Sequence, residues 1–484
     1  FNSSLHERVV QLPKLPGTVS PAATNDPVLW IELIARMKEC VANTIGSLVE
    51  LQDRTITLYD AQRGQPSWSF SQSLARTEQL IETLEGVELL EDSLTLYQEL
   101  DQRLAAGLAD GTASFPAIGG TDPGDDSLLL LGPLRKPYHT QLEQGTISLF
   151  DLRCYLFAQQ AMLLGTLGHV LKVIQATPAF IAHVAQMYAR YGTAGLPRFF
   201  VEAWSFSVAL DAVEQCQAWL VEQTNEGDED PSQLPAFHAA KADLLELAVR
   251  QLLRIGLRTG HLPDRDPFRL AEAGGLAYPD ASDAPITRKE LVEAMDRRDV
   301  FDMQLRNLIQ RAVLAASFAQ QQSRLFRLKY VLASLDMLRG TYDGAAKLFA
   351  ELLTGDASAA WGPLHAAVHA SRLACLRHAE RDHGVEWVDA NLAALRTVCA
   401  TRALVRAPQP LDEHALLVAL QEESATLDQE TTLVGYNGFR LRVVHFRATR
   451  ADDDDGAWLD VDVFSHLGFP LEVHSVGVYV SNYQ

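Results

Sequence analysis

LLEDSLTLYQEL, residues 89–100, aligns without gaps on TYDGAAKLFAEL, residues 341–352. The matched pairs are Glu91/Asp343, Ser93/Ala345, Leu96/Leu348, Tyr97/Phe349, Glu99/Glu351 and Leu100/Leu352, and a glycine, Gly86 or Gly340, stands shortly before each stretch. This order of acid, small residue, leucine–aromatic and Glu-Leu resembles the second helix of a tetratricopeptide-type hairpin, with glycine in the turn and the aromatic packed on the next repeat. The repeat is too degenerate for a regular array. Many antiparallel helices on short loops nevertheless stack as a solenoid. The expected fold is therefore mostly α, an irregular tetratricopeptide-like α-solenoid of helical hairpins.

Outward from these stretches, helical periodicity dominates from about Pro27 to residue 421. Leu29, Leu33, Met37, Val41 and Ile45, spaced by four, predict one apolar face on a helix over 28–52. Helices over 71–84 and 89–107 follow. The Gly-rich stretch from Gly107 to Asp126, then Leu128–Leu131 with breaks at Pro133 and Pro137, reads as a loop or a domain joint. The strongest helix is expected over 147–175, where Ser148 and Asp151 fit a capping box and apolar residues run nearly all round. Further helices are expected over 178–192, 196–223, 236–257, 288–300, 302–338, 341–353, 359–380, 385–403 and 411–421. Asn225–Pro231 reads as an acidic loop. Pro263, Pro267, Pro279 and Pro285 exclude a helix interior over 260–287.

After about Thr432 the period changes to two. Leu459, Val461 and Val463 alternate with Asp460 and Asp462, and strands are expected over 439–448 and 471–480, where Val476, Val478 and Val480 alternate likewise. The expected domains are an extended lead-in (1–27), N-terminal helical hairpins (28–127), the solenoid (128–430) and the first strands of an incomplete antiparallel β-sandwich (431–484). A sandwich needs roughly 100 residues. With so few strands, and with Phe1 rather than Met at the start, the chain is expected to be a piece of a longer protein.

Composition bounds the function. The 484 residues carry 62 acidic and 41 basic side chains, a net charge of −21, which disfavours a phosphate-binding surface and a polybasic dock on anionic lipid. At 47 % apolar and 21 % charged the chain is ordinary for a globular protein and can bury a large core. Cys40, Cys154, Cys216, Cys375 and Cys399 are widely spaced with no C-x-x-C, so buried reduced thiols are expected rather than a zinc ribbon or a disulfide framework. The longest charge-free apolar run, Cys154 to Leu171, includes Gln159, Gln160 and His169, which is too polar for a membrane span.

Sites of chemistry are few. G-x-S-x-G, G-x-x-x-x-G-K-[ST] and G-x-G-x-x-G are absent from the sequence. His365 and His369, four apart with His378 and His383 beyond, have metal-ligand spacing, but Ala366 stands where a metalloprotease needs Glu. The run Asp452–Asp455 with Gly456 would put Ala451 at the first position of a calcium loop, where a carboxylate is required; a solvated hairpin loop is expected. Asp264 and Asp266 have no identifiable acid/base partner. Trp30, Trp204, Trp219, Trp361 and Trp387 read as packing residues. No catalytic, cofactor-binding or metal residue is assigned.

Residues 148–160, SLFDLRCYLFAQQ, carry a DLR-x-Y-L-F-x-x-Q pattern. It resembles the signature of the large TRAPP II-specific subunit family, called TRAPP complex subunit ten in animals and Trs one-thirty in yeast. Leu90–Leu100, Tyr330–Phe349, Trp361–Cys375 and Leu471–Tyr483 resemble further family segments in the same order. The resemblance covers roughly 28–484, most sharply 148–160 and 330–375. It implies a non-catalytic scaffold subunit of a vesicle-tethering complex that promotes nucleotide exchange on a late-Golgi Rab GTPase. The exchange site would lie in the small core subunits, and the partners would be those subunits and the second large one. It also implies a cytoplasmic protein peripheral on trans-Golgi or early-endosome membranes. Two rivals remain: a stand-alone helical-repeat adaptor, and an enzyme with an unrecognised site.

Overall fold

The structure is a computed structural model describing residues 27–63, 65, 68–132, 136–226, 233–354, 362–378, 385–401, 411–424, 439–447 and 458–465. It is mostly helical. The chain divides into two compact units, Phe1–Leu252 with Gly275–Glu293, and Leu253–Gly274 with Ala294–Gln484.

The first unit holds α1 (Pro27–Asp60), α2 (Phe70–Glu85), α3 (Leu90–Asp110), α4 (Tyr138–Glu143), α5 (Leu149–Thr166), α6 (Val170–Tyr191), α7 (Phe200–Glu226) and most of α8 (Leu234–Arg258). α1 packs on α2, α2 on α3 and α4, α3 on α5, α5 on α6, and α6 on α7. Its core is aromatic. Phe150 lies 5.7 Å from both Phe200 and Trp204, and Tyr188 is 5.6 Å from Phe200, with the rings edge-on. The stretch 111–124 packs against the start of α5, where Leu149 and Phe150 donate their backbone N–H to Ala117 and Ile118. Residues 277–282 run along 193–202: Gly195 N–H bonds to Asp280, Ser282 N–H to Leu196, and Thr193 Oγ1 to Ala277.

In the second unit, α10 (Arg298–Phe318), α11 (Gln322–Leu338), α12 (Tyr342–Leu353), α13 (Gly362–His378), α14 (Val385–Thr401) and α15 (Glu413–Ser424) each pack on the next in sequence. α9 (Lys289–Asp296) precedes them. α13 is buried on two sides, which suits its lack of a single apolar stripe. Val368 and Cys375 join Ala333, Ala345 and Phe349 in one cluster, while Leu373 joins Ala390, Ala394, Leu395 and Leu416 in another. β1 (Phe439–Arg447) and β2 (Trp458–Ser465) pair antiparallel, with Leu441 opposite Val463 and an irregularity between Val443 and His445. Two paired strands do not make a sandwich. The expected strand over 471–480, the lead-in and the Asp452–Asp455 run lie outside the described residues.

Two expected helices are hairpins instead. The helix over 147–175 breaks at Leu167–His169, and the helix over 302–338 breaks at Ala319–Gln321. Pro178 lies inside α6 rather than at a boundary. The cause is one turn used four times. His169 N–H bonds to Leu164 O, Leu89 N–H to Leu84 O, Gln321 N–H to Ala316 O and Thr341 N–H to Asp336 O, at 2.8–3.0 Å. The residue before each donor reaches back three positions and has positive φ: Gly168 +80°, Glu88 +62°, Gln320 +54° and Gly340 +79°. This is the six-to-one and five-to-two bonding of a Schellman cap. The cap reverses the chain without a Gly-Pro loop, and at residue 320 its left-handed position is occupied by Gln. No glycine marks that break in the sequence.

At the left-handed position a side chain costs about 1–2 kcal/mol, whereas glycine is free of the clash. Glu88→Gly and Gln320→Gly are each expected to stabilise the chain by about 0.5–1 kcal/mol after the entropic cost of glycine. Urea unfolding of the two variants, and of Gly340→Ala as the opposite case, checks this. Gly340→Ala should lose about 1 kcal/mol.

Candidate functional site

The internal echo can be tested position by position. Ser93, Tyr97 and Leu100 on α3 are buried, and so are Ala345, Phe349 and Leu352 on α12. Leu96 and Leu348 are half-buried, while Glu91, Glu99, Asp343 and Glu351 are exposed. All six matched pairs thus share a burial class, and their turns share the same hydrogen bonds. The echo is architectural.

The segment 148–160 is a hub of the first unit. Ser148 caps α5: its Oγ accepts from Asp151 N–H at 3.1 Å and donates to Asp151 Oδ2 at 2.7 Å. The other oxygen of Asp151 accepts from Lys136 Nζ at 2.8 Å, and the same ammonium reaches Asp125 at 2.8 Å and Asp122 at 2.9 Å. Burial alone would lower the Lys136 pKa, but hydrogen bonds to Asp125, Asp151 and Asp122 hold it above its ordinary value. Burial raises Asp125 against the pull of Lys136. The neighbouring Asp126 ties down residues 287–288 by accepting from Thr287 N–H and Oγ1, both at 2.7 Å, and from Arg288 N–H.

Further along α5, Tyr155 donates its hydroxyl to the buried Glu78, whose other oxygen faces His139 Nδ1 at 3.0 Å. Phe157 stacks on Phe180 with centroids 4.1 Å apart. Gln160 Nε2 reaches Tyr97 O at 3.4 Å. Arg153 is half-buried, with its Nε lacking a hydrogen-bond partner. The pattern Asp–x–x–x–Tyr–x–Phe–x–x–Gln thus joins α5 to α2, α3 and α6. These residues position helices and present no reacting group in a cleft.

The histidine pair on α13 is buried in helix packing. His365 stacks on Phe326 at 5.9 Å, and His369 Nε2 lies 3.1 Å from Thr397 Oγ1 on α14. Burial, then the charges of Arg372 and His365, push His369 down to about 4. His378 stacks on Tyr342, and His383 lies outside the described residues. Asp264 faces Arg269 at 3.7 Å on the surface. Cys154, Cys216 and Cys375 are buried free thiols and Cys40 is half-buried. Among the described residues no group of three metal-ligating side chains converges, and no helix is long and apolar enough to cross a membrane.

Two histidines give opposite pH dependences. His369 is neutral in the fold and protonates in the unfolded chain below about 6.5, so its contribution falls as pH drops from about 6.5 toward 4. The Glu78 hydrogen bond chiefly raises His139, whose contribution is full below about 6.5 and is lost as pH rises through the raised value. In melting scans from pH 7.5 to 4.5, His369→Gln should flatten the acid-side loss of stability, whereas His139→Gln should steepen it.

Sequence comparison adds the relatives. The chain is 29 % identical over 189 residues, 39 % of its length, to the trafficking protein particle complex II-specific subunit 130 homolog of Oryza sativa. It is 26 % identical over 296 residues, 58 % of its length, to the homolog of that name in Arabidopsis thaliana, and 24 % identical over 270 residues, 53 % of its length, to the human trafficking protein particle complex subunit 10. The chain is thus similar to subunits named for the trafficking protein particle complex. The aligned part spans 15 %, 23 % and 21 % of those three family members. No family model matches the chain.

The surface left open by this packing is the remaining functional feature. On α1 the side chains of Trp30, Ile34, Met37, Val41, Leu48, Leu51 and Leu58 are 43–67 % exposed. Sequence reasoning found the helix and gave it one apolar face, without showing whether that face is covered. Met37 and Val41 of that face are exposed, and Leu33 and Ile45 are half-buried. The missed signal was the alternation of four and three, which differs from the spacing of four that drifts round the helix.

Proposed function

We propose that the chain is a scaffold segment of the TRAPP II vesicle-tethering complex, acting through partners rather than through chemistry of its own. The similarity to subunits named for that complex carries the reading. Helices packed one on the next through a recurring turn support an α-solenoid, an architecture that presents long surfaces to other proteins. The two strands would begin an antiparallel β-sandwich. The partners would be the small core subunits and the second large subunit. Through the assembly the chain would orient a late-Golgi Rab GTPase, at the trans-Golgi or early endosome, adding selectivity while other subunits supply nucleotide exchange.

Expelling GDP requires groups held against the phosphate–Mg²⁺ site or the switch loops. The hub at 148–160 offers no such group, since its carboxylate, Asp151, is held by Lys136 and Ser148. A fluorescent-GDP release assay tests the proposal, with the purified chain alone and with the chain added to the small subunits. No acceleration by the chain alone, with co-purification and Rab preference in the assembly, supports it. Substantial acceleration by the chain alone would overturn it.

A further inference from the structure

Helix α1 repeats in heptads. Ile34, Val41, Leu48 and Thr55 occupy one position (a), and Trp30, Met37, Thr44, Leu51 and Leu58 occupy the other (d), alternating by four and three. The apolar members of this seam are 43–67 % exposed, and both threonines are exposed. Among the described residues nothing covers the seam over more than four heptads. The helix has 34 residues and its neighbour α2 has 16, lengths of about 51 and 24 Å. α2 meets the e flank of the carboxy-terminal part of α1, through Gln52 Nε2 to Thr83 Oγ1 at 3.1 Å and Tyr59 OH to Gln72 Oε1 at 3.0 Å, and Thr83 is near its end. The amino-terminal half of α1 therefore runs on past α2.

The charges are ordered about the same seam. Beside it, at the e and g positions, stand Lys38 and Arg54, with no acid; Glu39 and Asp53 fall at f, on the far side. Arg54 makes an exposed ion pair with Glu50. A parallel self-pair would set Lys38 against Leu33 and Arg54 against Tyr59, matching neither cation.

We propose that the exposed seam of α1 docks an amphipathic helix of a different chain, with an apolar heptad face and acidic residues at its flanking positions. The inference goes beyond the scaffold reading and does not rest on it. β-branched residues at Ile34 and Val41 with leucines at Leu51 and Leu58 suit a two-stranded pairing. Burying such a seam removes apolar surface from water, and glutamates opposite Lys38 and Arg54 set the partner's identity.

The test uses the full chain and a synthetic four-heptad peptide with Ile at a, Leu at d and Glu at every e and g, whose like charges keep it monomeric. A second peptide carries Lys at e and g. Binding is read by fluorescence anisotropy and by the gain of peptide helicity, and sedimentation velocity reports self-association of the chain. The expected result is binding of the Glu peptide at least ~5-fold tighter than the Lys peptide, weakened at least ~10-fold by Ile34→Asp/Val41→Asp. Glu39→Gln should leave it unchanged. Both aspartate sites are exposed, so melting of that variant should match the parent. Equal affinity for the two peptides, no binding of either, or a dimer of the chain dissolved by the same substitutions would overturn the proposal.

Discussion

Lys136→Met is expected to cost about 3–5 kcal/mol of stability at neutral pH, the range for removing one partner of a buried ion pair. The lysine side chain is 14 % exposed, and the carboxylates of Asp125 and Asp151 beside it are 4 % and 9 % exposed. Without the ammonium those two negative charges face each other in a poorly solvated pocket. Asp122, at 65 % exposed, recovers its solvation in water and adds little. The sign with pH follows from Asp125, whose carboxyl is already raised by burial and rises further without Lys136. A carboxyl raised in the fold costs stability above its unfolded value, so the deficit should be largest near pH 7 and shrink toward pH 4. Urea unfolding at both pH values checks this. Asp125→Asn placed on the Lys136→Met background should return part of the loss.

Leu156→Asp is expected to cost at least about 4 kcal/mol, enough to leave a marginally stable domain unfolded or aggregated. Leu156 is 2 % exposed on α5, a helix that packs on α3, α4 and α6. Leu156→Ala provides the graded comparison, at about 2–5 kcal/mol for a cavity without a charge. Thermal melting and size-exclusion chromatography of both variants give the answer. A soluble aspartate variant with parental melting would remove Leu156 from the core.

The sequence showed the helical class, because burial of an apolar stripe imposes a 3.6-residue period that stands in the residues themselves. It showed the echo, and with it the burial of Tyr97 and Phe349. It showed the Ser148 cap, since capping is a contact over three residues. The alternation at Leu459, Val461 and Val463 likewise foretold a strand paired antiparallel with its neighbour.

Other features needed the chain brought back on itself. Lys136, Asp125, Asp122 and Asp151 are scattered over thirty positions without a motif, and only the packing of the loop against α5 makes them one cluster. The break at Gln320 is set by α10 and α11 folding together, which outweighs the cost of a left-handed glutamine. The heptad seam of α1 stood in the sequence all along, yet periodicity cannot tell a buried stripe from an open one. Sequence alone fixes which residues share a helix face, because that is local geometry. Which faces are covered depends on contacts between residues far apart in the chain, and these exist only once the helices have packed.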